Sequence, residues 1–359
     1  MSFVFHAPFN AVSFGQVSTA ISRELFKRGT DCTILPFRDN ANFQSQQLSE
    51  DYIKWFRERV NAFHETHSRD NPCLQLWHFK DSLLSPSNEL NLFSFYELDS
   101  PTKIELNVAR NCKKLIFSSN YSVELFKSHE IDASFVPLGF DDHNFRTTEK
   151  SYFDDERIVF NLCGKFEKRK HHAKILKAWA KKYGNNPKVH LQCAVFNPFL
   201  GPEDNNALIK AALDGEKYFN IVFLNNMKTN AEYNDFLNSA NIVIGMSGGE
   251  GWGLPEFQSV ALGKHAVMLN AHAYKDWANR VNSVMIDPLS KIEVYDDLFF
   301  KKGQPFNQGK IFDFNEDDFI EGCEEAIKRV KSNPVNEEGK KLQTKFSYEN
   351  TVDELLKLI

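Results

Sequence analysis

Apolar runs too short for helices alternate with longer stretches of helical periodicity along almost the whole chain. In the first half the runs are Phe3–Phe5, Cys32–Leu35, Leu74–Trp77, Leu92–Tyr96, Leu115–Phe117 and Ser134–Val136. In the second they are Ile158–Leu162, Val189–Gln192, Ile221–Leu224, Ile242–Ile244, Ala266–Leu269 and Val284–Ile286. Strands alternating with helices predict parallel α/β architecture, and about six strands per half suffice for two doubly wound sheets. Residues 141–156 are polar, lack periodicity and read as a linker. The predicted division is therefore 1–150 and 151–340, followed by an amphipathic helix within 341–359. Two such sheets place a cleft at the carboxyl ends of their strands, where ligands of open α/β sheets bind.

Two segments carry more than packing. The run Asn241–Gly245 leads into a loop bearing Gly248, Gly249, Gly251 and Gly253, and Pro255 suits the first position of the short helix that Gly263 ends. A strand, a glycine turn and a helix start together make an anion site, because unbonded N–H groups point outward. Glu250 inside that loop is a charge that packing does not require; a ligand-free turn is the bland alternative. After the run ending near Cys163, Lys165, Lys168, Arg169 and Lys170 crowd the start of a helix marked by Ile175, Leu176 and Trp179. Positive charge there opposes the helix dipole at a cost of roughly a few tenths of a kcal/mol per residue, and a bound diphosphate would reverse that sign. A solvated basic turn is the alternative.

Composition narrows the classes. The chain has 359 residues, 42% hydrophobic and 25% charged, as expected of a globular protein with two domains. A net charge of −5 argues against broad nucleic-acid binding. Cysteines at 32, 73, 112, 163, 193 and 323 form no Cys-x-x-Cys pair and read as reduced thiols of a cytoplasmic protein, not as a metal or disulfide framework. No stretch approaches the roughly 20 apolar residues that cross a bilayer, and the N-terminal residues read as a strand, not a secretory leader. The basic, aromatic segment Asp51–Arg59 offers peripheral contact with the inner face of a membrane at most, against an ordinary amphipathic surface helix. Nothing in the pattern speaks to oligomeric state. No Asp-x-Asp, Ser-His-Asp order, zinc-ligand spacing or Lys-bearing P-loop competes with the two segments above.

The motif Glu250-Gly-Trp-Gly-Leu-Pro255 resembles the nucleotide-sugar end of retaining glycosyltransferases of the family-4 type (glycosyl transferases group 1). That family has the GT-B fold, two facing Rossmann-like domains with an interdomain cleft. Its pattern places a second Glu eight positions after the first; here that position is Gln258, with Glu256 two residues early. The resemblance implies metal-independent transfer of a sugar, a hexose first, from a nucleoside-diphosphate sugar, with no other cofactor. The acceptor, a glycan, a lipid-linked species or a small molecule, stays open, as do the donor base and sugar. Transferred residue by residue, Glu250 would orient the donor sugar, and Lys170, Arg169 and Lys165 beside Gly164 would grip the diphosphate. Gln258 would meet the ribose with an amide in place of a carboxylate. Gly249, Gly251, Trp252, Gly253 and Leu254 would complete the donor loop, Gly15 would face the donor phosphate, and Asn225 and Met227 would support the base. His78 would stand beside the transferred sugar and Glu97 on the acceptor side; a structural strand-end histidine is the alternative for the first. The C-terminal helix would cross back to the first domain, against simple packing on its own. Gln258 also leaves room for a catalytically silent sugar-nucleotide-binding or scaffold protein. A nucleotide-sugar epimerase, a phosphorylase and, more remotely, DNA glucosylation complete the alternatives.

Overall fold

The computed structural model describes residues 2–151, 153 and 155–359, so Met1, and Tyr152 and Asp154 of the expected linker, lie outside the described residues. Every apolar run becomes a strand. The first sheet contains β1 (Phe3–Phe9), β2 (Cys32–Ala41), β3 (Cys73–Leu76), β4 (Leu90–Ser94), β5 (Lys114–Phe117) and β6 (Ser134–Phe135), in the order β2-β1-β3-β4-β5-β6. The second contains β7 (Ile158–Cys163), β8 (Val189–Ala194), β9 (Ile221–Phe223), β10 (Ile242–Gly245), β11 (His265–Leu269) and β12 (Val284–Ile286), in the order β12-β11-β10-β7-β8-β9. All pairings in both sheets are parallel. Helices cover their faces, so β1, β3, β4, β7, β10 and β11 are buried throughout, which is why they read as continuous apolar runs without alternation.

The strand orders locate the cleft. In the first sheet the direction of winding reverses between β1 and β3, and in the second between β7 and β10. The loops leaving these four strands are where ligands of such sheets collect. They hold the turn before Gly15, His78, the basic run and the Glu250 loop.

Two details depart from the sequence pattern. Pairing of Cys73 with Leu90 fixes the register of β4 two residues earlier than its apolar run suggests, and Phe95 and Tyr96 leave the ladder. Freed from pairing, Phe95 stacks on Phe14 at 4.4 Å. An antiparallel ribbon, β13 (Ser290–Glu293) with β14 (Lys310–Asp313), was not foreseen, because both strands are short and β13 is mostly exposed. It leans on the first sheet's domain: Lys291 meets Asp99 at 2.9 Å, and the Lys310 amide donates to the same carboxylate at 2.7 Å.

The many phenylalanines are core material. Phe79 stacks on Phe126 at 5.2 Å under the first sheet, where Val294, Phe300 and Ile311 of the ribbon region join the same cluster. The first part of the linker is docked: the Arg146 amide donates to Asn234 and the Thr148 amide to Asn238. Helix Tyr348–Leu358 lies against helix Ser13–Lys27, with Arg28 and Asp353 at 2.5 Å, the Thr351 hydroxyl donating to the Pro137 carbonyl at 2.8 Å, and Val352 and Leu355 buried. No helix among the described residues is long and apolar enough to cross a membrane.

Candidate functional site

The basic run does not begin its helix. Lys168–Lys170 form a 3-10 turn, His171 adopts a left-handed conformation at φ 56°, and the helix starts only at His172. The helix-dipole penalty expected for these charges is thus relieved by position, and carboxylates neutralise them directly. Lys170 Nζ stands 2.5 Å from Glu250 Oε1, and Arg169 Nη1 2.9 Å from the same oxygen. Arg169 also reaches Glu97 and Glu167, each at 3.2 Å, and donates to the Gly249 carbonyl. Lys165 pairs with Glu167 at 2.8 Å and lies near the rings of Phe199 and Phe299. Gly164, at φ 94°, lets the Lys170 stem pass; a Cβ there would sit 2.9 Å from Lys170 Cε.

Burial and charge act against each other in this cluster. Desolvation alone would raise Glu250, but Arg169 and Lys170 overcome it and hold the carboxyl at about 2. Desolvation would lower Lys170 as well, and Glu250 keeps it raised. Glu97 is pushed up to about 6, burial and the nearby Glu250 outweighing Arg169. Glu250 is therefore ionised at any ordinary pH and can only accept hydrogen bonds, while Glu97 can exchange a proton near neutrality.

The glycine loop serves an unexpected purpose. A Cβ on Gly249 would collide with the Glu97 carbonyl oxygen, and one on Gly251 would lie 2.5 Å from Phe95 Cβ. The Ser118 hydroxyl donates to the Gly251 carbonyl at 2.6 Å. These glycines admit the backbone of the first domain, so the loop is part of the domain contact. Gly253, at φ 79°, takes the left-handed turn that starts helix Leu254–Ala261, with Pro255 at its second residue instead of its first. Trp252 departs from its expected place. Its side chain is buried, with ring centroids 5.3 Å from Phe257 and 5.5 Å from Phe346, so an indole this apolar stays in the core and only its backbone borders the loop.

A cleft of about 260 Å³ opens at the start of helix Leu254–Ala261, which follows the Glu250 loop; Glu250, Lys170 and Arg169 do not themselves line it. Its walls include Ser13, Gln16 and Asp141 from one side, and Asn225, Met227, Tyr233, Leu254, Pro255 and Gln258 from the other. Two helices begin on it, Ser13–Lys27 and Leu254–Ala261, and neither has a side-chain cap. Seven other helices are capped, by Ser49, Thr102, Ser119, Thr229, Asn315, Asn336 and Ser347, while helices His172–Tyr183 and Pro202–Ala212 are also uncapped. Unbonded N–H groups at an uncapped start are donors for an anion. Gly15, in the first turn of its helix, allows close packing on Asn10, where a Cβ would clash with that backbone. His78 follows β3 at the switch point with its ring centroid 4.5 Å from Phe14. It is open to solvent but crowded by protein, and desolvation with Lys165 pushes it down to about 4, leaving it neutral near pH 7.

The structure thus gathers Glu250, Lys170, Arg169, Glu97, Lys165 and Gly164 into one cluster, and places Gln258, Asn225, Met227 and Leu254 on the cleft wall. Sequence reasoning missed Glu167, whose only signal was its place inside a basic run. It also gave no role to Glu256, a buried carboxyl pushed up to about 7 by desolvation and Glu250 against the pull of Lys170.

No family model and no curated protein matches this sequence. Solved structures match it along its full length. A sucrose-phosphate synthase from Thermosynechococcus elongatus superposes with a TM-score of 0.68 at 12% identity, covering 99% of this chain and 98% of that one. HepE from Anabaena, solved with UDP-glucose, gives 0.63 at 13% identity over 100% of both chains. WaaG, described as a glycosyltransferase involved in lipopolysaccharide biosynthesis, gives 0.60 at 10% identity over 100% and 99%. These likenesses show the fold, two Rossmann-like domains facing across a cleft, the GT-B arrangement.

Proposed function

We propose that this chain is a retaining, metal-independent glycosyltransferase that moves a sugar from a nucleoside-diphosphate sugar to an acceptor hydroxyl. The observation that carries the reading is the clamp of Lys170 and Arg169 on Glu250 where the second sheet reverses its winding, in the loop that leads into the uncapped helix start at Leu254 on the cleft wall. That a neighbour of the same fold is solved with UDP-glucose supports a sugar nucleotide as the ligand.

In this reading the diphosphate lies at the helix starts, with Lys170 and Arg169 stabilising the charge that grows on it as the sugar departs. Glu250, permanently ionised, accepts hydrogen bonds from donor-sugar hydroxyls and fixes their orientation. The bond from the anomeric carbon to the diphosphate breaks, and the acceptor oxygen bonds that carbon on the same face. The acceptor proton passes to a leaving phosphate oxygen. This is the course that the family resemblance implies, and it needs positioning and electrostatics more than a protein nucleophile. Positive side chains and helix starts supply the charge that other glycosyltransferases draw from a metal. Contact between the glycine loop and the first domain excludes water, which would otherwise compete as acceptor.

Thermal stability against UDP-, GDP- and ADP-sugars, with and without EDTA, tests the reading, because a ligand that binds the native state raises Tm by mass action. A selective rise that survives EDTA is expected. A rise abolished by EDTA would overturn metal independence, and no rise with any donor would overturn the donor site. Gln258 at the second Glu position favours one other reading, a silent sugar-nucleotide binder. It predicts a rise in Tm with neither transfer nor hydrolysis.

A further inference from the structure

The second domain grips the first sheet on both faces. Successive residues of a strand point to opposite faces, so β4 and β5 contribute to two clusters. Phe93 and Ile116 join the cluster that holds helix Ser13–Lys27, whereas Leu92, Leu115 and Phe117 join the one that holds Val108 and Phe126 of the opposite helices. The chain passes between domains on the Phe93 face. Its outgoing and returning segments run side by side there, with the Phe140 N–H donating to the Phe346 carbonyl at 2.7 Å, and Val352 and Leu355 lie in the same cluster. That pair of crossings forms a hinge. The ribbon lies on the other face. Val294 and Ile311, both at 0% exposure, and Phe300, at 6%, are buried in a cluster whose remaining buried residues all belong to the first domain.

Polar contacts set the ribbon's place on that face. Asp99 accepts from the Lys291 ammonium at 2.9 Å and from the Lys310 amide at 2.7 Å. The Asn307 amide donates to Glu105 at 2.9 Å, and the Thr102 hydroxyl to the Pro305 carbonyl at 2.6 Å. Gly309, at φ 128°, permits the approach, since a Cβ there would stand 2.5 Å from Asp99 Oδ1. The ribbon is bonded to the Glu250 loop as well, its Phe312 amide donating to the Gly248 carbonyl at 2.9 Å. We propose that the β13–β14 ribbon, with the loop that joins its strands, is a latch: it clasps the first sheet opposite the hinge and holds the domains closed through the chain's own contacts, with no ligand required. Rotation about the hinge has to draw three buried apolar side chains from the first domain into water. Their transfer, more than the partly exposed Asp99 pair, supplies the resistance. The cleft therefore widens only as the ribbon peels away, and the Glu250 loop then leaves the first domain with it.

Small-angle X-ray scattering of the full chain without nucleotide tests the latch. The profile of the unaltered protein is expected to match the closed arrangement described above. Val294→Asp places a carboxylate in the apolar seat of the ribbon, where an unpaired charge is costly. It is expected to enlarge the radius of gyration while far-UV circular dichroism stays native. Amide exchange should quicken at least about tenfold over residues 99–105, where the ribbon makes its contacts. An expanded profile for the unaltered protein would overturn the proposal, and so would a Val294→Asp profile that superposes on the parent's. Should Val294→Asp not fold, Asp99→Lys sets an ammonium against Lys291 and is expected to give the same expansion. Lys291→Asp added to it is expected to restore the compact profile, and an Asp99→Lys variant as compact as the parent would overturn the latch. Neither measurement involves a donor, so the outcome is separate from that of the function proposed above.

Discussion

Glu256 offers a sharp test of how charge is arranged behind the site. It is 2% exposed on helix Leu254–Ala261, and its Oε2 and the neighbouring Tyr274 hydroxyl both lack a well-formed hydrogen bond. Burial and the nearby Glu250 raise its carboxyl from 4.5 to about 7 despite the attraction of Lys170. In the unfolded chain it titrates normally, so between these values the native state holds a proton that the unfolded state has lost. Native stability must then fall as pH rises through that window. A displacement of about 2.5 pH units (7 minus 4.5), at about 1.36 kcal/mol each, is on the order of 3 kcal/mol, most of it between pH 5 and pH 8. Glu256→Gln mimics the protonated acid at any pH. Urea unfolding of both proteins at pH 5 and pH 8 isolates the effect, because every other titration cancels in the comparison. The variant is expected to match the parent at pH 5 and to exceed it by roughly 2–3 kcal/mol at pH 8. Parallel pH dependences would refute the assignment of a largely neutral Glu256 and with it the charge balance drawn around Lys170.

Lys170→Ala and Glu250→Ala are each expected to abolish transfer while far-UV circular dichroism stays native. Each also breaks a buried pair, so urea unfolding should register a loss of about 3–5 kcal/mol; near-normal turnover in either would refute the proposed roles. Gly249→Ala forces a Cβ against the Glu97 carbonyl, and is expected to lower kcat/KM at least about tenfold by holding the domains apart. Its effect should be on turnover in steady-state assays and not on the secondary structure. Leu355→Ala, at 1% exposure on the returning C-terminal helix, should cost about 2–5 kcal/mol in denaturant unfolding, and a smaller loss would show that the helix contributes little.

The strands were legible because parallel sheets buried on both faces leave contiguous apolar runs, and their number in each half followed. Register was less so: β4 starts where Cys73 pairs with Leu90, a partner that no local pattern names. The ribbon of β13 and β14 escaped notice because it buries its apolar side against another domain, and its exposed residues carry no alternation of their own. Within the site, Glu250 and the basic run stood out as charges in places where packing needs none. Trp252 did not: its neighbours Gly251 and Gly253 suggested a ligand loop, whereas the indole goes where apolar area goes, beneath the loop against Phe257 and Phe346. Glu167 and Glu256 could not be singled out because a carboxylate's role here depends on which cations face it across the fold.

The Glu250 loop joins two tasks that are usually considered apart. Its glycines are needed because Glu97 and Phe95 of the first domain approach its backbone, and the same approach brings the Glu97 carboxylate to Arg169 at 3.2 Å. Arg169 in turn holds Glu250 and the Gly249 carbonyl. Separating the domains would therefore withdraw one of the three carboxylates around Arg169, leaving Glu250 and Glu167. Domain contact and the charge presented to a diphosphate are consequently one variable. A glycine replaced in this loop should alter the affinity for an anion even though the glycine itself makes no contact with it.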